Sequence, residues 1–347
     1  MNVRFLLVLS TGLLAACGGD ESSSSATSAD GGAPKGPGAG GPATGAPVAG
    51  NAPVVSGCRI FPDDNPWNQD VSAAPVSAKS AAYMAKMAPT AKLHPDWGTT
   101  AEGYGIPISV GSGAPPVPMT WTTSWGPRES DPVACPSGGG AFCYPIPTNA
   151  KVEGGGDRHV LFLDTAGAPS NCTLYELFDA QASGGGWSAA NGAMFKLGSN
   201  ALRKDGWTSG DAAGLPIMPG LVRYEELASG TIRHAIRFTL SQTQQGYIHP
   251  ATHAAGKADV DLPPMGLRVR LKASVNITAP PEGTTLIAAL KKYGMLLADN
   301  GSNWYLSGDQ NDGWAKALPN VKKALDQLHG SDFEVVETGA VSVAGLD

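Results

Sequence analysis

Charge is scarce in this chain. Asp, Glu, Lys and Arg supply 16% of its 347 residues, against about 25% in an average soluble domain. The charge present leans acidic, with 24 Lys and Arg against 30 Asp and Glu and a formal net of −6. That balance excludes the strongly basic surface that nucleic-acid binding requires, so no nucleic-acid partner is expected. Neither a Gly-X-Y period nor a heptad repeat runs through the sequence, which excludes collagen and coiled coil. No phosphate loop, no Gly-x-Ser-x-Gly elbow and no Gly-x-Gly-x-x-Gly after a strand occurs. Nucleotide, dinucleotide and serine-hydrolase chemistry recede accordingly. Cys-x-x-Cys spacing is missing too, which removes the commonest zinc frame. His249 and His253 are four apart, but Pro250 disfavours the helix that would aim both rings at one metal. A set of His234, His249 and His253 is the one cluster with metal-ligating chemistry; no metal and no cofactor is expected.

Glycine and proline are abundant instead, at 46 and 28 residues, and much of the excess lies near the front. Arg4 precedes a short apolar stretch, Phe5 to Leu9 and Leu13 to Ala16, too short for a membrane-spanning helix of about 20 residues. This is the pattern of a secretory signal peptide over 1–16. Leu14-Ala15-Ala16-Cys17 resembles the cleavage box of bacterial lipoproteins. The resemblance implies that Cys17 becomes the first residue and carries acyl chains, palmitate among them, that anchor the protein to a membrane. Gly18, rather than Asp, is similar to the default for outer-membrane sorting in Gram-negative lipoproteins. Thirty of the thirty-six residues 18–53 are Gly, Ala, Ser, Thr or Pro, and none is aromatic. Such a segment buries too little apolar surface to offset its chain entropy and reads as a tether over 17–53. The expected location is the cell envelope, lipid-anchored on the extracytoplasmic side.

Residues 54–347 are expected to form a single large domain with a loop-rich first part, 54–150. Its four cysteines allow three pairings. Cys135–Cys143 across a Gly-rich loop and Cys58–Cys172 pinning the N-terminal segment are the favoured pair in an exported chain. A helix is predicted near Ser77–Met87, and strands near Ile106–Val110 and Met119–Thr123. The apolar runs His159–Asp164 and Cys172–Phe178, with a Gly/Pro/Asn-rich turn between them, predict a β-hairpin. Ala193–Leu197, Thr231–Leu240, Leu267–Ala273, Met295–Ala298 and Phe333–Glu337 also read as strands. Helices are predicted near Thr285–Tyr293, stopping at Gly294, and Asn320–His329, stopping at Gly330. The fold class expected is β-rich, all-β or α+β, with a β-sandwich or jelly-roll-like core and a few short helices near the C-terminus.

Several residues could carry chemistry. Alternation puts Arg268, Arg270 and Lys272 on one strand face, either as a binding surface for an anionic ligand or as a solvated face paired with acids. On the neighbouring candidate strand His234 shares a face with Ile236, Phe238 and Leu240, whereas Arg237 shares the opposite face with Ala235 and Thr239. Glu176 lies inside an apolar run, where burial would raise its pKa and suit it to general acid work. Asp157, Asp205, Asp211 and Asp299 fall at turns or strand ends, positions that serve sites and turn chemistry alike. Most Trp residues, Trp187 and Trp207 among them, sit beside small or polar residues, where an indole can stack on sugar or staple a loop to the core.

The segments 156–160, 172–178 and 291–295 resemble a group of bacterial exported proteins. That likeness spans most of 58–340, implies export and carries no catalytic residue with it. Two functional classes follow. One is a surface-tethered enzyme on an extracellular polysaccharide, an acidic glycan among the candidates, with His234, Arg237, Tyr247, His249 and Glu176 around a cleft. In a lyase form Tyr247 or His234 abstracts a proton and Arg237 neutralises a uronate. The other is a non-catalytic carbohydrate-binding or envelope-interaction module that uses Trp187, Trp207 and the 268–272 face. Convergence of His159, Glu176, His234, Arg237, Tyr247 and His249 on one cleft separates the two.

Overall fold

The computed structural model describes residues 51–136 and 138–346. The signal segment, Cys17 and all but the last three residues of the tether lie outside them. Among the described residues the chain is mostly sheet, with 16 strands in four sheets and a few short helices. The arrangement is the β-rich, sandwich-like one expected.

The predicted hairpin is the middle of the fold. Val160–Asp164 pairs antiparallel with Thr173–Phe178, which pairs in turn with Asn191–Lys196; Ile108–Gly111 adds a parallel edge. Leu161, Leu163, Leu174 and Phe195 join the main core cluster. Val160, Phe162, Tyr175 and Leu177 enter a second cluster with Tyr144, Ile146 and Trp187. This sheet is therefore buried on both faces, which is why its strands read as unbroken apolar runs rather than as alternation.

A six-stranded sheet forms the next layer, in the order Phe333–Val335, Arg268–Leu271, Met295–Asn300, Ile236–Leu240, Tyr305–Ser307, His94–Asp96. Two of its pairings are parallel and join segments far apart in sequence: Ile236–Leu240 with Met295–Asn300, and Tyr305–Ser307 with His94–Asp96. Ile236, Phe238 and Leu240 are buried in the main core, on the face that alternation assigned them.

Both late helices exist. Pro281–Lys292 begins on a proline, whose fixed φ and missing N–H suit a first turn. It ends before Gly294, as expected: φ there is +63°, and a Cβ would sit 2.1 Å from the Val269 carbonyl oxygen. The second helix spans Trp314–Leu325, not Asn320–His329. Pro319 lies inside it, and apolar Trp314, Ala317, Val321, Ala324 and Leu325 are buried along one side.

Both expected disulfides are present, Cys58–Cys172 and Cys135–Cys143. They mark a chain that matures in an oxidising, extracytoplasmic environment. Among the described residues no helix is long and apolar enough to cross a membrane.

The basic strand has a structural role. Arg268 is 1% exposed and donates to the carbonyls of Pro66, Gln69 and Tyr293. Burial lowers its pKa to about 9. Arg270 donates to Glu334 Oε1 at 2.8 Å and to the carbonyls of Val71, Ser72 and Ala74. Lys272 reaches the Ser331 carbonyl at 2.7 Å. The two guanidiniums thus staple the 66–74 segment to the sheet; Arg268 and Arg270 do not present a free anion-binding face. Arg268→Lys should lower unfolding free energy by about 2–3 kcal/mol, because one ammonium cannot serve three separated carbonyls. Lys272→Ala should change it by less than about 0.5 kcal/mol. Urea titration of both variants checks the contrast; equal effects would contradict the staple.

Candidate functional site

Four adjacent strands of the six-stranded sheet build the floor of a cavity of about 510 Å³. Register explains which side chains reach it. Asp299 pairs with Thr239, Thr239 with Tyr305, and Tyr305 with His94; Ser307 pairs with Asp96. Alternation then puts Arg237 and Thr239, Tyr305 and Ser307, and His94 and Asp96 on one face, with Phe238 and Leu306 turned into the core. At a strand spacing of about 4.8 Å this floor spans roughly 14 Å. The wall opposite comes from the Gly-rich loop 153–159, which supplies Glu153, Asp157 and His159, and from Tyr104.

Arg237 is the hub. It is 4% exposed, and its Nε donates to Asp211 Oδ2 at 3.0 Å. One Nη donates to Asp211 Oδ1 and the other to Ser307 Oγ. Asp211, predicted at a turn, is fully buried. Asp299 Oδ2 lies 4.0 Å from Arg237 and lines the cavity.

His159 is held by Glu153 on one side, Nδ1 to Oε2 at 2.5 Å, and by the Gly210 carbonyl on the other, Nε2 to O at 3.0 Å. Burial alone would lower its pKa, but the Glu153 carboxylate outweighs that and raises it to about 9. The ring is a cation at neutral pH. Burial, reinforced by repulsion from Asp211, lifts Asp299 to about 7 against the pull of Arg237. Burial also raises Asp96 above its ordinary value, and among the described residues no donor is bonded to its carboxylate. The cavity therefore holds more carboxyl groups than cations, and two of them ionise late.

Of the six residues expected to converge, His159 and Arg237 line this cavity. Glu176 is fully buried behind it, its two oxygens accepting from the Ile217 and Met218 N–H groups at 2.9 Å. Burial pushes its pKa to about 7, yet it does not face the cavity. His234 is buried between the Ala235 carbonyl and Glu226 Oε2, at 2.7 and 3.0 Å. Tyr247 is buried and donates its hydroxyl to the Ala344 carbonyl. His249 is half-exposed beside Asp205, Nε2 to Oδ1 at 2.8 Å. Trp187 is a core residue donating to the Ile146 carbonyl, and Trp207 lies under Arg203 and Lys204. Among the described residues no cluster of His, Cys, Asp and Glu has metal-binding geometry.

The sequence reading did not single out Asp96, Glu153, Tyr104 or Tyr305. Asp96 sits between Pro95 and Trp97 with no motif around it. Its place follows only from pairing with a strand more than 200 residues later.

The Glu153–His159 pair makes a pH prediction. A histidine raised from 6.5 to about 9 by folding contributes stability that is whole below 6.5 and disappears as pH rises through about 9. Urea unfolding should show wild type exceeding Glu153→Gln at pH 6, with the gap closing by pH 10; a constant gap would rule the linkage out. No protein-family model, curated protein or solved structure matches this chain.

Proposed function

We propose that the protein is an extracytoplasmic glycoside hydrolase acting on a polysaccharide, with Asp299 as proton donor. The observation that carries this reading is Asp299 itself. It is a cavity-lining carboxyl, beside a buried Arg237–Asp211 pair, with a pKa lifted to about 7. A carboxyl that stays partly protonated at neutral pH can deliver its proton to a glycosidic oxygen. A second carboxylate, ionised, takes a proton from water as the hydroxyl adds to the anomeric carbon, so one water is consumed per bond broken. Exposed Tyr104 and the Tyr305 ring stacked on His94 at 4.1 Å offer aromatic surface at the cavity wall for sugar faces.

The lyase form has less support. Arg237 spends three of its five N–H donors on Asp211 and Ser307, and the Asp211 carboxylate already balances the charge that would neutralise a uronate. The acid excess also repels one.

By the same proposal Cys17 carries the acyl anchor, and the tether holds the domain off the membrane. Cys17→Ser should move the protein from the membrane fraction to the soluble one; unchanged fractionation sinks the anchor.

For the chemistry, reducing-end release from neutral and acidic polysaccharides should be followed against pH. Turnover on a neutral glycan should fall as pH rises through about 7, where Asp299 loses its proton. Asp299→Asn should lower kcat by about a hundredfold or more and abolish that alkaline limb. Binding without turnover by wild type would replace the hydrolase with a carbohydrate-binding module.

A further inference from the structure

We propose that the cleft binds a glycan chain across Asp299 and cuts it internally, so that the substrate is an uncharged polymer rather than a chain end. This rests on the hydrolase reading. A second cavity, of about 490 Å³, lies beside the first. Both are of the size usual for ligand sites, about 300–1,000 Å³. The two share three wall residues: Asp157, Asp299 and Asn300. The proton donor therefore stands at the waist between two lobes rather than at the bottom of one pocket. An enzyme that trims ends needs room on one side of the scissile bond only; room on both sides fits a chain that passes through.

Each lobe carries aromatic surface. Tyr104 and Tyr305 line the first, and Trp125 and Phe178 the second. Trp125 and Phe178 are only half-buried, so their rings are available for stacking on sugar faces. Charge selects against uronates in both lobes. The second lobe is lined by Glu129 and Asp157 as well as Asp299, against His253, whose Nδ1 donates to the Ala212 carbonyl at 2.7 Å. Hydroxyl- or acetamido-bearing sugars meet no such penalty and can be hydrogen-bonded by Asn300 and the carboxylates at the waist.

The test uses the full chain with chitin-derived and cellulose-derived oligosaccharides from dimer to hexamer, and with the parent soluble polymers. Early digestion of the responsive polymer should yield a spread of intermediate lengths. kcat/KM should climb from dimer to hexamer, and in Trp125→Ala the hexamer-to-dimer ratio should drop about tenfold, a stacking contribution of the usual size. Trp125→Tyr, which keeps an aromatic face, should recover most of the ratio and guards against a folding defect. Release of monomer or dimer alone from chain ends, with a ratio indifferent to Trp125→Ala, would overturn the two-lobed cleft while leaving the hydrolase standing. Failure to cleave any probe would overturn both.

Discussion

The ion pair between Arg237 and Asp211 is the interaction on which the rest of the site depends. Both groups are withdrawn from water, at 4% and 0% exposure, and charges so placed are costly unless fully bonded. Here three of the five guanidinium donors are bonded, two to the carboxylate and one to Ser307. The pair ties the Ile236–Leu240 strand to the Tyr305–Ser307 strand and to the loop carrying Asp211. That loop has its own bracing: Ser209 Oγ donates to the Asp211 and Leu215 carbonyls, and Asn191 Nδ2 to the Ser209 carbonyl. The arginine is therefore a structural fastener whose charge also sets the field of the cavity.

That field explains why neighbouring acids behave differently. Glu153 sits against a histidine and holds it as a cation at neutral pH. Asp299 sits 4.0 Å from Arg237, but Asp211 has already taken that guanidinium at close range. What Asp299 feels from the pair is close to a neutral dipole, plus burial and residual repulsion from Asp211. A carboxyl so placed ionises late. The division of one acid paired and another held partly protonated is the environment from which acid–base chemistry is built.

Much of the fold is legible in local sequence, and the site much less so. The hairpin at 160–178 is visible because two apolar runs flank a turn, and the disulfides because four cysteines in an exported chain have few ways to pair. The assignment of Arg237 and Thr239 to the face opposite Phe238 follows from alternation alone. By contrast, Asp96 and Asp299 line one cavity through a sheet whose strand order bears no relation to chain order. Helix Trp314–Leu325 was legible as a helix but not in its bounds, because Pro319 is tolerated within it. His234 and Tyr247 look reactive in one dimension, but the structure spends each on an internal hydrogen bond. Arg268 likewise reads as an exposed cation because period-two alternation says only that it opposes Val269. Whether the opposite face meets water or another chain segment is not a local property.

The layering also dictates where a polar site can lie. The sheet containing Val160–Asp164 is covered on both faces, so it has no interior position at which a charged side chain could meet solvent. Apart from Glu176, which is fully buried and held by two backbone N–H groups, its charged residues lie at strand ends, and His159 is the residue immediately before Val160. The six-stranded sheet has the opposite freedom over four of its strands, where one face carries Asp299, Arg237, Thr239, Tyr305, Ser307, His94 and Asp96. A cavity rich in titratable groups can form only where the end of the first sheet meets the polar face of the second. Loop 153–159 is what closes that junction, and its three consecutive glycines let the backbone pass over the floor without filling it. The cleft follows from how the two sheets are covered, and its chemistry from which few polar residues the covering leaves available.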